Sequence, residues 1–348
     1  MNIQEPKDLA DLKDLSVRMG GNPLLIQASG GNTSLKEAGV LWVKASGKSL
    51  INALKEELFL PLDLDQVLAE VHNPADGSTP LKSLSGSLLR PSIETTLHAL
   101  MPHRVVLHSH SVDVIAQTLQ VDGQKQLGEK LEGLAWHWVP YCRPGKPLMR
   151  AIATALKTRQ ADVLVLANHG LVVGGDTPQA AEALQTEVVQ RLQISRREYP
   201  QPDLRSLYHL IEQLPELRLP AINMVHALAT DSWSFNLAQR NPAYPDHVVF
   251  CGVRPFVVYG VENILKSVTA LVNEWGQDVT YILIPGIGVI LLQAATQATE
   301  AMLQAQAEVL LRIPEGAEVN FLSDSQCAEL INWDAEKYRK ALERTARP

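Results

Sequence analysis

The sequence predicts an α/β protein with a smaller α/β unit in its C-terminal part. Short apolar runs that fit buried strands alternate along the chain with amphipathic stretches of helical period. Four prolines between positions 200 and 220 separate the two parts, and 348 residues can bury one or two cores. We therefore predict a first domain at 1–200, a helical linker at 201–235 and a C-terminal domain at 236–348.

Composition argues against several classes of partner. The net charge of −7 provides no basic surface for nucleic acid, and no apolar run reaches the length of a membrane span. The first five residues already carry a charge, unlike a secretory signal. Cys142, Cys251 and Cys327 are far apart and form no Cys-x-x-Cys motif, so neither a disulfide framework nor a thiolate metal site is predicted. We expect a cytoplasmic protein that binds neither nucleic acid nor a membrane.

The first domain is predicted to contain helices and strands in alternation, identified by apolar periodicity and by their flanking turns. Its helices are expected at 4–20, 112–120, 148–157 and 177–197. Its strands are expected at 24–28, 39–44, 105–107, 136–141, 162–167 and 171–175, and short helices and loops at 50–89. Thr177 is the expected N-cap of the last helix, because Pro178 follows at its first position.

The C-terminal part is predicted to alternate in the same way. Strands are expected at 248–259 and 280–293, and helices at 261–275, 296–311 and 323–345. The run Pro285-Gly286-Ile287-Gly288 is half of a dinucleotide-binding fingerprint, but it continues into a strand, so it gives only weak support to a Rossmann site.

Histidines at the ends of two apolar strands are the main functional signal. His108 and His110 follow Val105-Val106-Leu107, and residues two apart in a strand point to the same side. His169 follows a second apolar run, at 163–166. Three imidazoles suit one divalent cation, zinc first, and leave a fourth position open, as in catalytic sites.

A carboxylate precedes the histidine pair. Ser92 is the expected N-cap of a helix in which Glu94 lies near the positive end of the helix dipole. His98 lies four residues later on the same helix face. It fits either a hydrogen-bond partner of the site or an ordinary core histidine, and we leave it out of the ligand set.

Two turns rich in glycine and hydroxyl groups, at 29–34 and 45–49, fit an anion site. Glycine lets backbone N–H groups approach an anion, and serine, threonine and asparagine add donors. Turns of this composition also simply join strands in many β-rich folds, and from the residues alone both interpretations stay open. A nucleotide P-loop ending at Gly47-Lys48-Ser49 is rejected, because position 42 is tryptophan.

These parts together describe one reaction. A cation with an open position polarises a carbonyl and stabilises an enediolate, and a nearby carboxylate can remove or return a proton. An anion cradle opposite them would hold a phosphate. The combination describes aldol cleavage of a phosphorylated ketose.

In combination, five motifs resemble the class II aldolase/adducin family over about residues 5–200. They are Gly30-Gly31-Asn32-Thr33-Ser34, Lys44-Ala45-Ser46-Gly47, Pro91-Ser92-Ile93-Glu94, His108-Ser109-His110 and His169-Gly170. The chain is most similar to the aldolase part of bifunctional rhamnulose-phosphate aldolase/short-chain dehydrogenase proteins. The additional matches are Val139-Pro140-Tyr141 followed by Pro144-Gly145, Tyr244-Pro245-Asp246-His247-Val248, the Pro-Gly-x-Gly strand at 285–288 and Trp333-Asp334.

The resemblance implies a three-layer α/β/α fold, with a central, mainly antiparallel sheet covered by helices, and a homotetramer with active sites between subunits. It implies Zn²⁺, or another divalent metal, as cofactor. His108, His110 and His169 would bind the metal, and Glu94 would be the general base and a resting-state ligand. The substrate phosphate would be bound by Gly31, Asn32, Ser46, Gly47 and Ser92.

Three hypotheses of function follow from the residues and the resemblance together. The first is a zinc-dependent lyase that cleaves a sugar phosphate of the rhamnulose- or fuculose-phosphate kind. The second is epimerisation, dehydration or decarboxylation on the same scaffold. The third is a non-catalytic, adducin-like interaction protein, which would lack the metal.

Overall fold

The computed structural model describes residues 4–72, 81–260, 264 and 279–345. The predicted fold class is confirmed: a seven-stranded sheet is covered by helices on both faces, and a smaller sheet lies in the C-terminal part. The chain divides into two compact units, residues 1–193 with 337–342 and residues 194–336 with 343–348.

The sheet of the first unit is mainly antiparallel. Its strands are β1 (Asn32–Glu37), β2 (Val40–Lys44), β3 (Phe59–Asp63), β4 (Val105–Ser109), β5 (Trp136–Val139), β6 (Val163–Leu166) and β7 (Gly170–Gly175). Their spatial order is β3-β2-β1-β4-β7-β6-β5, and among these neighbours only β5 and β6 run parallel. Strand β4 is therefore the middle strand of the sheet.

Helices form a layer on each face of this sheet. They are α1 (Leu9–Gly20), α2 (Leu64–His72), α3 (Thr95–Leu100), α4 (Val112–Thr118), α5 (Gly123–Lys130), α6 (Lys146–Thr158) and α7 (Pro178–Arg191), with a 3-10 turn at Leu50–Asn52. Val105 and Leu107 of β4 pack in one core with α1 and α7, whereas Val106 packs in another with α3 and α6. Burying each such side chain contributes about 1.5–3 kcal/mol, so both cores hold β4 in place.

Several predicted elements of the first unit are corrected by the structure. The strand predicted at 24–28 is wrong: Asn22 accepts hydrogen bonds from Leu24 and Leu25, which closes turns there instead. Helix α3 begins at Thr95 with Glu94, not Ser92, at its N-cap position. Residues 50–89 contain β3, which includes Pro61 and lies at the sheet edge, where proline is tolerated.

The helix after Thr177 is confirmed at its start and is shorter than predicted. The Thr177 side chain accepts a hydrogen bond from the backbone N–H of Ala180, and Pro178 occupies the first turn. The helix ends at Arg191 rather than near 197. Arg197 instead hydrogen-bonds the backbone of Leu311 in the second unit.

The second unit contains a four-stranded sheet. Its strands are β8 (Leu217–Arg218), β9 (Phe256–Val257), β10 (Tyr281–Ile284) and β11 (Gly288–Leu292), in the order β8-β11-β10-β9. Its helices are α8 (Leu204–Gln213), α9 (Ala227–Thr230), α10 (Ser232–Ala238) and α11 (Pro245–Cys251), followed by Gln297–Arg312, Asp324–Ile331 and Asp334–Thr345, with a 3-10 turn at Asn223–His226. Strand β8 lies within the stretch 201–235 that was predicted as a helical linker.

Three predictions for the C-terminal part are also corrected. The strand predicted at 248–259 is wrong over most of its length: residues 248–251 belong to helix α11, which Pro245 starts, and within this range only β9 is a strand. The strand predicted at 280–293 is the hairpin of β10 and β11, and the helix predicted at 323–345 is two helices. The helix predicted at 261–275 lies outside the described residues apart from position 264.

A buried histidine supports the start of β11. The Nδ1 atom of His226 accepts a hydrogen bond from the backbone N–H of Val289 at 3.0 Å, so Nδ1 must be unprotonated. Burial lowers the pKa of His226 to about 4. An unfolded histidine titrates near pH 6.5, so the unfolded chain binds more protons, and stability must fall as the pH drops from about 6.5 to about 4.

Replacing His226 isolates this effect. Asparagine keeps an acceptor oxygen near the Nδ1 position and does not titrate, so we expect the melting temperature of His226→Asn to fall less than that of wild type between pH 7 and pH 5. Thermal unfolding followed by circular dichroism measures the difference. His209→Asn, at an exposed site, should respond to pH like wild type. An identical pH response in His226→Asn and wild type would contradict the assignment.

Candidate metal centre

The middle strand of the large sheet carries the histidine pair. His108 lies opposite Asn32 of β1 on one side and opposite Val172 of β7 on the other. His110 follows the end of β4, and its backbone N–H donates to the carbonyl of Leu25 at 2.8 Å. The pair is thus fixed from three directions by backbone hydrogen bonding.

The bend between β6 and β7 brings the third histidine to the same place. Asn168 has a φ of +54°, a left-handed conformation that asparagine adopts more readily than most residues. A Cβ atom at Gly170 would collide with the carbonyl oxygen of Ser109. Only glycine therefore lets β7 start directly against the end of β4, with His169 beside the histidine pair.

The predicted ligands converge. One ring nitrogen from each of His108, His110 and His169 lies within 4.8 Å of the others, and all three side chains are buried. The Nε2 atoms of His108 and His110 are 3.1 Å apart. The Glu94 carboxylate, 6% exposed, places Oε2 at 3.4 Å from His108 Nε2 and Oε1 at 3.3 Å from His169 Nε2.

The hydrogen bonding of His108 fits a metal ligand. Its Nδ1 atom donates to the carbonyl oxygen of Leu171 at 3.0 Å, and a carbonyl can only accept. In the neutral ring the lone pair must then lie on Nε2, which faces His110 and Glu94. Metal-binding histidines are oriented in this way, and a divalent cation would compensate the clustered lone pairs and the carboxylate. The residues therefore fit a divalent metal.

The charge state of Glu94 follows from its neighbours. Burial alone would raise its pKa, but the charges of His108, His169 and His110 and a hydrogen bond from Asn32 lower it to about 2. The carboxylate is thus ionised at neutral pH. A bound divalent cation would likewise favour the ionised form of the carboxylate.

A series of polar contacts, separate from those with the three histidines, positions the Glu94 carboxylate. The amide nitrogen of Asn32 donates to Glu94 Oε2 at 2.9 Å and to Ser92 Oγ at 3.1 Å. The amide oxygen of Asn32 contacts His98 Nε2, and His98 Nδ1 lies 2.7 Å from the hydroxyl of Ser34. His98, left open by the sequence, is therefore both a core residue and a partner of the site.

The predicted phosphate-binding residues lie on three neighbouring segments. Gly31 has a φ of +58°, and a Cβ atom there would lie 2.8 Å from the carbonyl oxygen of His108. The backbone N–H of Ser46 donates to the carbonyl of Arg90 at 2.8 Å, and that of Ser92 to the carbonyl of Lys44 at 3.0 Å. Gly47, the fifth of these residues, lies against Leu342.

Sequence reasoning gave no role to the side chain of Lys44. It is buried although it is a lysine, and its ammonium group contacts the first glycine turn. One feature of the sequence does indicate a buried lysine: Lys44 ends an apolar strand and lies between Val43 and Ala45, where an exposed charge is not expected.

The family model of the Class II Aldolase and Adducin N-terminal domain matches residues 15–195, more than half of the chain. The chain belongs to the class II aldolase and adducin family. The resemblance found from the sequence is thereby confirmed, and the candidate metal centre lies within the matched region.

No helix among the described residues has the length and apolar character needed to cross a membrane.

The similarity to one curated relative extends beyond the region matched by the family model. An uncharacterized oxidoreductase of Bacillus subtilis (strain 168) is 25% identical over 415 residues, which cover 97% of this chain and 59% of that protein. The chain thus spans less than two thirds of the relative it matches. This coverage fits a two-part architecture in which an aldolase-like part is joined to a further part.

Solved structures of class II aldolases are similar to somewhat more than half of the chain. The N-terminal class II aldolase domain of a protein from Thermoplasma acidophilum is 29% identical, covers 55% of this chain and 95% of that chain, and has a TM-score of 0.47. The L-fuculose-1-phosphate aldolase of Thermus thermophilus is 18% identical, covers 59% and 98%, and has a TM-score of 0.37.

The close approach at Gly170 can be tested with Gly170→Ala. The added methyl group must push β7 away from Ser109, which we expect to cost roughly 1–3 kcal/mol and to weaken metal binding by displacing His169. Calorimetric titration with Zn²⁺ and thermal unfolding measure both effects. Gly39→Ala is the control, because that glycine has a φ of +77° and open space around it. Equal metal affinities in the two variants would contradict this account.

Metal removal should destabilise the first unit. At free Zn²⁺ a hundredfold above its dissociation constant, binding to the folded state contributes about 2.7 kcal/mol. We therefore expect chelation to lower the melting temperature of this unit and Zn²⁺ to restore it, by differential scanning calorimetry. His169→Ala should lose the response, whereas His209→Ala should keep it. A melting temperature independent of metal in wild type would oppose the site.

Proposed function

We propose that the chain is a metal-dependent lyase that performs retro-aldol cleavage of a phosphorylated ketose, of the rhamnulose- or fuculose-phosphate kind. The observation that carries this proposal is the buried Glu94 carboxylate within 3.4 Å of two of three converging imidazoles. Imidazole nitrogen ligands suit Zn²⁺ among the available divalent ions, although other transition metals bind similar sites.

The metal would be held by His108, His110 and His169, with Glu94 as a further ligand before substrate arrives. When bound, the ion supplies a Lewis acid that stabilises negative charge on the substrate oxygens. The burial of all four side chains excludes bulk water, which strengthens these electrostatic interactions.

The chain itself would supply the proton transfers through Glu94. Retro-aldol cleavage requires a proton to leave the hydroxyl beside the breaking carbon–carbon bond and a proton to reach the carbon that keeps the electron pair. The Glu94 carboxylate is ionised at neutral pH and can therefore accept the first proton, and its protonated form can return a proton to the carbon. We assign it the role of general base.

Asn32 would keep the Glu94 carboxylate in place during these transfers. Its amide nitrogen donates to Oε2, so Oε1 remains the oxygen that turns toward His169. A carboxylate held at one oxygen keeps its second oxygen in a constant direction, which proton transfer requires.

The substrate phosphate would bind to Gly31, Asn32, Ser46, Gly47 and Ser92. Backbone hydrogen bonds join the segments that carry Ser46 and Ser92, and the Asn32 amide nitrogen donates to Ser92 Oγ next to Glu94. The arrangement places hydroxyl donors and a glycine turn of positive φ in one region, which suits an anion.

The proposal includes a cytoplasmic homotetramer. Light scattering can test the tetramer by measuring the molecular mass in solution.

The assay that tests the reaction is release of dihydroxyacetone phosphate and an aldehyde from a panel of ketose 1-phosphates. Glu94→Gln keeps the side-chain length and an oxygen for Asn32 but cannot take a proton. We expect one metal ion per chain to remain and the turnover number to fall roughly 10²–10⁴-fold. Glu182→Gln, at a surface ion pair with Arg18, should leave turnover unchanged.

Other outcomes of this assay distinguish the competing functions. Isomer formation without aldehyde release would indicate epimerisation, and loss of water or of carbon dioxide would indicate dehydration or decarboxylation. Wild type without bound metal after metal-supplemented expression would favour an adducin-like interaction protein. Full turnover in Glu94→Gln would remove Glu94 from its role as base.

A further inference from the structure

The side chain of Lys44 lies beneath the first glycine turn. Lys44 is the last residue of β2 and is 2% exposed. Its Nζ atom donates to the carbonyl oxygen of Ser29 at 2.6 Å and to that of Gly31 at 2.7 Å. Burying an ammonium group is costly, so a lysine at such a position needs a reason beyond packing.

The backbone of Lys44 joins two further segments to this turn. Its carbonyl oxygen accepts the backbone N–H of Ser92 at 3.0 Å, and the next residue, Ala45, forms an isolated β-bridge with Pro91. Ser46 then donates to the carbonyl of Arg90. One residue thus connects the turn at 29–31, its own segment at 44–46 and the segment at 90–92.

Of the five proposed phosphate-binding residues, Gly31, Ser46 and Ser92 lie on these three segments, and Asn32 and Gly47 directly follow the first two segments. The ammonium group draws two carbonyl oxygens of the turn toward itself, and these oxygens would repel an anion if they pointed to the substrate. The ammonium group also places a positive charge close to the proposed phosphate-binding residues, all five of which are neutral.

We propose that Lys44 is the positioning residue for the anionic end of the substrate, a phosphate monoester, by fixing the three segments and supplying a buried positive charge. The inference rests on the proposed function only in placing a phosphate at these segments. It does not depend on which carbon–carbon bond is cleaved, because anion binding is measured without turnover.

The test compares Lys44→Met with Lys36→Met in the metal-loaded 348-residue chain. Methionine keeps much of the apolar length and removes the charge and its donors. Lys36 is a matched control: it is largely buried on the neighbouring strand β1 and also donates to backbone carbonyls, those of His98 and Met101. Isothermal titration with inorganic phosphate reports the anion site, and elemental analysis reports the metal.

We expect phosphate binding to weaken at least about tenfold in Lys44→Met, with one metal ion retained, and to change little in Lys36→Met. With a cleavable ketose 1-phosphate, the KM should rise in Lys44→Met. Cleavage of the same ketose without its phosphate should be unaffected, which a merely structural role would not produce. Equal phosphate affinity in wild type and Lys44→Met would overturn the proposal, as would equal losses for both ketoses.

A measurement on wild type covers the case in which Lys44→Met does not fold. Hydrogen exchange followed by mass spectrometry should show that inorganic phosphate protects peptides covering 29–34, 44–49 and 90–92, but not one covering 36–40. Protection confined to the histidine segments would show that phosphate binds at the metal instead, and would overturn the proposal. Aldol products could be absent while this protection is present, so failure of the proposed function is a separate result.

Discussion

The central constraint on this molecule is the contact between the end of β4 and the start of β7. Gly170 lies directly against the backbone at Ser109, and this approach places His169 beside His108 and His110. Because β4 is the middle strand, the two hydrophobic clusters that pack on its opposite faces stabilise the histidine positions. The free energy of packing thus offsets the electrostatic cost of holding three imidazoles and a carboxylate together in a buried place.

The fold separates two kinds of buried charge around the candidate site. Glu94 faces the imidazoles and would share the metal with them, whereas Lys44 faces neutral carbonyl oxygens of the first glycine turn. Asn32 lies next to both regions: it follows Gly31 in sequence, and its amide reaches Ser92 and Glu94. A substrate that carries a phosphate and a reacting carbon a few bonds apart would match this separation.

The sequence was sufficient for the features that depend on local pattern. The histidine pair, the bend at His169-Gly170 and the cap at Thr177 depend on strand alternation, glycine and proline, which act within a few residues. Prediction from the sequence failed where contacts between residues far apart in the chain determine the structure. Residues 24–28 are apolar enough for a strand but form turns on Asn22, and Pro245 converts a β-branched run into helix α11. The partners of Lys44 and His98 lie 13 to 66 positions away, so no local pattern reveals them.

The orientation of the Asn32 side-chain amide follows from its contact with the Glu94 carboxylate. An ionised carboxylate only accepts hydrogen bonds, so the amide nitrogen of Asn32 must face Glu94 and its oxygen must face His98. His98 then carries its proton on Nε2, and its Nδ1 accepts the hydroxyl proton of Ser34. Burial, followed by the charge of His108, lowers the pKa of His98 to about 3, which keeps the ring neutral as this order of donors requires. Three side chains in sequence, those of Ser34, His98 and Asn32, therefore hold the Oε2 atom of the proposed base in one direction.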